Sequence, residues 1–520
     1  MSLDPCAIRK LKQIVVTRAL RGALALVCMS LAPGLAMAQN PGPWIGAPSF
    51  AGGQIAADAH ALNLQAANQE SLGMAIARLN ATTTVQAALM KDPSGSQTNG
   101  LWNLGLLRFN STTGVRETWP DTTSPFQWAN NQYQIVPRSS SAPVASIKRV
   151  VVAENQIFVL LDEQFSDRRV TNIYQFSTQG APVGSFEPLG DFAGTELWAG
   201  DMQVYFTGLG GPNGGTQLVV VGAFRNPTSG ARTPLFRRYQ IEASGNLVDR
   251  TGIVVMTNNW CDQGARCQPE RLAFGSRGFL STPAIYVVGR VFHGANFVEQ
   301  GFSIGKLTAN GLPDPAWNTA NLFVGDSRTI GPGTVLPMGI AVRTTGLGLP
   351  ASPYVDQVTV AANVQRNCGW GVRVWRINNS TNMNGTSVLF GGSDATGADC
   401  STFATDSLFP RSMVRDGGRL IIAGRRGAFL GSANFDSFVA QVDTASMTVE
   451  RQDVLGWPLV GPRLGNSEIN DVLLDGDALI GTGILQYSDP FPSNPALAGK
   501  AQSGRLRLIT DLIFRDGFEQ

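Results

Sequence analysis

Few residues of this 520-residue chain could do covalent chemistry, and they are scattered. Nucleophilic catalysis of the Ser-His-acid kind needs a histidine beside a serine, yet the only histidines are His60 and His293. His293 lies in Arg290-Val-Phe-His-Gly294, just after an apolar run, where a solvated loop residue is a plainer reading than a general base. No Gly-x-Ser-x-Gly surrounds a serine, and Gly325-Asp-Ser-Arg328 lacks the glycines of an oxyanion hole, so it reads as a turn. Carboxylate chemistry is more open. A glycosidase needs two carboxyl groups roughly 5 to 10 Å apart, and Asp162, Glu163, Asp191, Glu196, Asp201, Asp326 and Asp471 are candidates without a recurrent spacing. Trp370 and Trp375 could form a sugar-stacking platform, although core packing is the plainer role. The chain has no Asp-x-Asp-x-Asp-Gly calcium loop, no Cys-x-x-Cys-His haem motif and no phosphate-cradling glycine motif. No metal or cofactor is expected, and catalytic residues stay unassigned.

The cysteines point to a compartment. Residues 1–38 read as a secretory signal: a basic start (Arg9, Lys10, Lys12, Arg18, Arg21), an apolar stretch from Gly22 to Ala32, and small residues at Ala36-Met37-Ala38. Cleavage would leave Cys261, Cys267, Cys368 and Cys400, an even number in an exported chain, hence two disulfides. Three pairings are open, and sequence distance favours Cys261 with Cys267 and Cys368 with Cys400. The remaining chain would carry 35 Lys and Arg against 37 Asp and Glu. That near-neutral balance gives no electrostatic reason to bind nucleic acid or anionic lipid. No later stretch is apolar enough to span a membrane, and a soluble, secreted, periplasmic or cell-surface monomer is expected.

The elements that must position these residues are strands. A short apolar run recurs at Val85–Met90, Ile157–Leu161, Leu218–Gly222, Ile285–Gly289, Val358–Ala362, Leu420–Gly424 and Ala478–Thr482, with starts separated by 72, 61, 67, 73, 62 and 58 residues. Each run is apolar at consecutive positions, as in strands buried on both faces. Before most runs stands another segment: Ile147 to Val152, Met202 to Phe206, Gly339 to Arg343, Ser412 to Arg415, Ile469 to Leu474. Turns such as Arg415-Asp-Gly-Gly-Arg419 join the two as hairpins. After the runs come alternating segments, such as Leu235-Phe-Arg-Arg-Tyr239, closed by Gly- or Asn-bearing turns. Four antiparallel strands in about 60 residues make one propeller blade. The expected fold is therefore all-β, a single β-propeller of seven four-stranded blades, with six or eight also compatible. Residues 39–80 form an N-terminal segment expected to help close the ring, residues 81–510 the propeller, and residues 511–520 a tail. One helix is expected between Ala56 and Arg78, where Ala, Leu, Gln and Asn crowd together.

At this point the units resemble a family of exported bacterial β-propellers built from repeats of about 60 residues. Leu218 to Leu247 and Ile285 to Leu312 carry the likeness best: a strand ending in a small residue, a loop, an Arg-Tyr or Lys-Leu strand end, and a Ser-Gly or Asn-Gly turn. The C-terminus, Ile513-Phe-Arg-Asp-Gly-Phe-Glu519, is similar to a tail on many exported bacterial proteins. Ser96-Gln-Thr-Asn-Gly-Leu-Trp102 resembles the Ser-x-Asp-x-Gly-x-x-Trp turn of sialidase-type propellers, without its Asp. These likenesses imply architecture and export, and confer no activity, because propellers host unrelated functions. Two function classes follow: a noncatalytic binding module for a protein or glycan, or a secreted hydrolase or lyase using axial carboxylates.

Overall fold

The computed structural model describes residues 44–46, 56–57, 71–91, 102–125, 127–128, 133–136, 144–190, 196–209, 214–226, 228, 230–256, 266–276, 281–293, 298–314, 323–324, 335–346, 349, 352–366, 369–378, 386–392, 407–427, 435–455, 464–487 and 501–510. Every regular element among them is a β-strand. No helix of the described residues is long and apolar enough to cross a membrane.

Two short strands, β1 (Trp44–Gly46) and β2 (Ala56–Ala57), precede seven consecutive antiparallel modules. Module 1 is β3 (Ser71–Arg78), β4 (Thr83–Lys91) and β5 (Trp102–Asn110), edged by β6 (Arg116–Glu117), β7 (Gln127–Trp128) and β8 (Tyr133–Val136). Module 2 is β9 (Val144–Ala153), β10 (Gln156–Gln164), β11 (Arg169–Ser177) and β12 (Pro182–Phe186). Module 3 is β13 (Glu196–Thr207), β14 (Gly215–Arg225), β15 (Arg232–Ile241), β16 (Leu247–Asp249) and β17 (Val254–Val255). Module 4 is β18 (Arg266–Gly275), β19 (Ala284–His293), β20 (Val298–Leu307) and β21 (Phe323–Val324). Module 5 is β22 (Val335–Thr345), β23 (Val355–Arg366), β24 (Gly369–Asn378) and β25 (Ser387–Phe390). Module 6 is β26 (Ser407–Asp416), β27 (Arg419–Gly427), β28 (Phe435–Asp443) and β29 (Thr448–Leu455). Module 7 is β30 (Leu464–Asp475), β31 (Ala478–Tyr487) and β32 (Ala501–Thr510). Single parallel bridges, Arg169 to Glu196 and Phe435 to Asn466, continue the hydrogen bonding from module 2 to 3 and from 6 to 7.

Each recurrent apolar run is the second strand of its module, and the reason is burial on both sides. In β10, Ile157, Val159 and Leu161 pack into the core shared with module 1, while Phe158 and Leu160 pack into the core shared with module 3. In β14, Leu218 and Val220 face module 2, and Val219 and Val221 face module 4. Burying one such side chain is worth about 1.5–3 kcal/mol, so every module needs a neighbour on each side. The first strands satisfy this by touching in cyclic order, β3, β9, β13, β18, β22, β26, β30 and back to β3. The fold is an all-β propeller with these first strands around its axis.

Of the stretch from Ala56 to Arg78 where a helix is expected, the described parts are strands, β2 and β3; residues 58–70 lie outside the described set. Tertiary pairing overrides the helical preference of alanine here. Ser71, Gly73 and Ala75 pair with Met90, Ala88 and Ala87 of β4, and a Cβ on Gly73 would collide with Thr482 and Gln86.

The seam of the ring joins the two ends of the chain. Trp44, Ile45 and Gly46 of β1 pair with Thr510, Ile509 and Leu508 of β32, and β2 pairs with Arg505 and Gly504, so the outer strand of module 7 comes from the N-terminal segment. The Ser503 amide donates to Ser71 Oγ (2.9 Å). Asp475 accepts from both Arg78 of module 1 and Arg507, and Arg507 also donates to the Ser111 carbonyl (3.0 Å). Removing residues 39–57 strips β1 and β2 and exposes the edge of β32. That deletion is expected to lower the melting temperature by several degrees and to promote aggregation, checked by calorimetry and light scattering; an unchanged transition would show that the seam is closed without these strands.

Candidate functional site in the axial cavity

The first strands share a local irregularity that aims side chains at the axis. Each skips a residue at a corresponding place in its pairing with the second strand: Met74, Lys148, Gly200, Glu270, Met338, Arg411 and Asn470. A bulge bends its strand and re-aims the extra side chain. All but Gly200 line a single cavity of about 750 Å³. Gly200 has no room for a side chain, because a Cβ there would collide with the Pro269 carbonyl of module 4.

The residues immediately after the bulges form a second, more buried tier that includes Arg149, Asp201, Arg271, Ser412 and Asp471. The Asp201 side chain is fully buried. It takes a two-pronged pair from Arg149 (Nε to Oδ1 2.8 Å, Nη2 to Oδ2 3.3 Å) and the amides of Met202 (2.9 Å) and Leu272 (3.0 Å). Burial opposes its charge, but Arg149, Arg271 and the Leu272 amide more than compensate and hold its carboxyl below the ordinary range. Burial alone would ease the proton off Arg149, yet Asp201 and Asp471 overcome it and hold the guanidinium protonated. Asp471 accepts from the Ile76 amide (3.1 Å), Ser412 Oγ (2.7 Å) and the Val472 amide (3.0 Å), with Arg149 Nη1 at 3.8 Å. Two carboxylates and one guanidinium thus stitch modules 1, 2, 3, 4, 6 and 7 at the axis.

The bulge tier is less buried and differently balanced. Glu270 pairs with Arg290 (2.8 Å) and accepts from Gln268 (2.9 Å); Glu468 pairs with Arg411 and lies 3.8 Å from Arg425. The cavity wall carries six cationic side chains, Arg78, Lys148, Arg149, Arg271, Arg290 and Arg411, against the carboxylates of Glu270, Glu468 and Asp471. Each of those carboxylates is engaged. Lys148 has no hydrogen-bond or ion-pair partner among the described residues, and Arg271 bonds only the Glu270 carbonyl (2.7 Å). Arg271 is also less firmly protonated than an ordinary arginine, through burial and the neighbouring Arg149. A carboxylate or sulfate entering the cavity would meet two cations that lack an ion pair of their own. Among the described residues no aromatic side chain lines the cavity.

Of the acids singled out in the sequence, Asp201 and Asp471 alone among the described residues reach the axis. Asp162 and Glu163 lie one strand out, on β10: Asp162 accepts the Ala199 amide of module 3 (2.8 Å) and pairs with Arg169 (2.6 Å), and Glu163 accepts from Asn172 and Tyr174. Glu196, at the start of β13, pairs with Arg225 (2.8 Å). Asp191, Asp326, His60, and the stretches 94–101 and 325–328 lie outside the described residues; His293 closes β19. Trp375 is buried against Phe302 (4.9 Å), a core role, whereas Trp370 is half-exposed beside Phe409 (6.2 Å). Cys267 is buried and disulfide-bonded; Cys261, Cys368 and Cys400 lie outside the described residues. Among the described residues no cluster of three or more His, Cys, Asp or Glu could hold a metal ion. Sequence reasoning missed Lys148, Arg149, Glu270, Arg271, Arg411 and Glu468. Superposing the segments before the apolar runs, one against another, would have placed five of these in two adjacent columns.

No protein-family description and no curated protein sequence matches the chain. Among solved structures, the chain is similar to the phage phi92 endosialidase (9% identity, TM-score 0.35, covering 90% of this chain and 69% of that one). It is similar to a protein of unknown function from Dyadobacter fermentans DSM 18053 (9%, 0.40, 86% and 96%). It is also similar to a PL25 polysaccharide lyase, an ulvan lyase, bound to -[GlcA(1-4)Rha3S]- (10%, 0.44, 80% and 91%). At these identities and scores the likenesses assign nothing to the chain.

Replacing one member of a buried, hydrogen-bonded charge pair costs about 3–5 kcal/mol. Asp201→Asn is expected to destabilise the fold by about that much, measured by denaturant unfolding; a change below ~1 kcal/mol would contradict the axial-stitch reading. Because the Asp201 carboxyl is held low in the folded state, its contribution is present above the unfolded carboxylate value, near pH ~4, and is lost as pH falls further. The variant should therefore show a shallower loss of stability between pH ~4 and ~2 than the parent.

Proposed function

We propose that this protein is an exported, noncatalytic binding module that takes an anionic portion of a glycan or protein into its axial cavity. The observation that carries this reading is the inequality of the cavity wall: every lining carboxylate is engaged by arginine, hydroxyl or backbone amide, while among the described residues Lys148 and Arg271 face the cavity without a salt bridge to any carboxylate. General acid catalysis needs a carboxyl whose proton is held above the ordinary range; Asp201 is displaced the other way. A volume of about 750 Å³ suits a small ligand or a chain end, whereas a protein surface docks on a broad face. Export follows from the reading of residues 1–38 as a signal, and two disulfides from the reading of the four remaining cysteines.

The second reading, a hydrolase or lyase, draws on Glu270, Glu468 and Asp471 converging with arginines on one cavity. Release of new reducing ends or unsaturated products from an acidic polysaccharide would establish it and displace the binding reading.

Calorimetric titration of tetragalacturonate and an acidic peptide, each with its neutral counterpart, tests the proposal. At least one acidic ligand should bind better than its counterpart, the preference should shrink at high salt, and Lys148→Met or Arg271→Met should weaken that binding about tenfold, a loss of ~1.4 kcal/mol. Binding indifferent to both substitutions would overturn the assignment of the cavity.

A further inference from the structure

Beside the axial cavity lies a continuous array of half-exposed rings and one cation. Phe409, on the first strand of module 6, lies beneath Arg425 of the second strand, with the guanidinium 4.8 Å from the ring centroid. Phe435, which opens the third strand, meets the same guanidinium at 5.1 Å, so Arg425 touches two rings. Trp370 of module 5 extends the row, its ring 6.2 Å from Phe409 and tilted by 42°. All four side chains are half-buried. Arg425 then leads inward to Glu468 (3.8 Å), which pairs with Arg411 on the cavity wall. In the neighbouring core, by contrast, Trp375 and Phe302 are buried.

Three rings of intermediate exposure in a row make a poor core and a good platform. An aromatic face offers an apolar, polarisable surface to the C–H side of a pyranose, and Arg425 offers hydrogen bonds to hydroxyl or acid groups beside it. Among the described residues the cavity wall has no such ring. Stacking at the rim and charge recognition on the axis are therefore separated along one path.

We infer that Trp370, Phe409 and Phe435, with Arg425 between the two phenylalanines, form a saccharide-stacking subsite, and that the ligand is an oligosaccharide chain. Its neutral rings lie on this platform and its acidic end enters the axial cavity. The inference rests on the binding role of the cavity and narrows it from protein or glycan to glycan. Specificity divides accordingly: the platform reads chain length and the cavity reads charge.

The test is an array of short oligosaccharides, neutral and uronate-bearing, with acidic peptides alongside, probed with the full mature chain and its variants. The parent should bind uronate-bearing oligosaccharides and prefer longer ones to the monosaccharide. Trp370→Ala and Phe435→Ala should each weaken all glycan binding about tenfold and flatten the length preference. Lys148→Met should remove only the preference for acid. Should Trp370→Ala lower the melting temperature, Trp370→Tyr keeps a ring and is expected to restore stability and most of the affinity. Glycan binding unchanged in both alanine variants overturns the subsite and leaves the cavity reading intact. Binding of acidic peptides without any glycan overturns the inference in the same way. An array on which the parent binds neither glycans nor peptides overturns both readings.

Discussion

A strand that is apolar on both faces cannot be satisfied within its own sheet, and the architecture follows from that constraint. Ile157 to Leu161 sends alternate side chains into two different cores, one shared with the preceding module and one with the next. Leu218 to Val221 does the same one module further on. A row of such modules would leave an uncovered apolar face at each end, so the row bends into a ring and its ends meet. The last sheet is then completed by the first described strands, with β1 and β2 lying along β32. Closure gathers the first strands around the axis, where the backbones approach closely at Gly200 and open elsewhere into the cavity.

Burial explains the chemistry of the centre. Buried carboxylates near the axis have little water, so they persist only with partners. Asp201 and Asp471 meet this condition by accepting backbone amides from neighbouring modules, Leu272 and Ile76, as well as Arg149. Asp162 makes an equivalent bond to Ala199 one strand further out. The carboxylates that looked catalytic in the sequence are thus mainly joints between modules. Only after they are subtracted does the unbalanced part of the wall emerge, with Lys148 and Arg271 facing an enclosed space and the ring-and-cation row of module 6 at its side.

Much of the fold was legible in the sequence because two-sided burial writes itself as consecutive apolar residues, and a 60-residue rhythm exposes the repeat. The segments from Ile147, Met202, Gly339, Ser412 and Ile469 are indeed first strands, since their short turns to the apolar runs leave only a hairpin. Alanine and leucine favour a helix locally in the stretch from Ala56 to Arg78, yet residues 71–78 form a strand in which Gly73 leaves room for Thr482 of module 7. The site was harder to read because it depends on register. A bulge moves Lys148, Glu270 and Arg411 from the pleated face of a sheet to the axis, and nothing in one strand's composition records that shift. Arg149 and Asp201 are about fifty residues apart, and only the ring brings them to 2.8 Å.

The central claim is that the axis of this propeller receives an acidic ligand. Hydrogen–deuterium exchange of the protein, alone and saturated with an acidic oligosaccharide or acidic peptide, reads it most directly. The account predicts slower exchange in the first strands around Lys148 to Arg149 and Arg271 to Leu272, with the outer strands β12 and β29 unchanged. Protection confined to the outer strands, or none at saturating ligand, would contradict it.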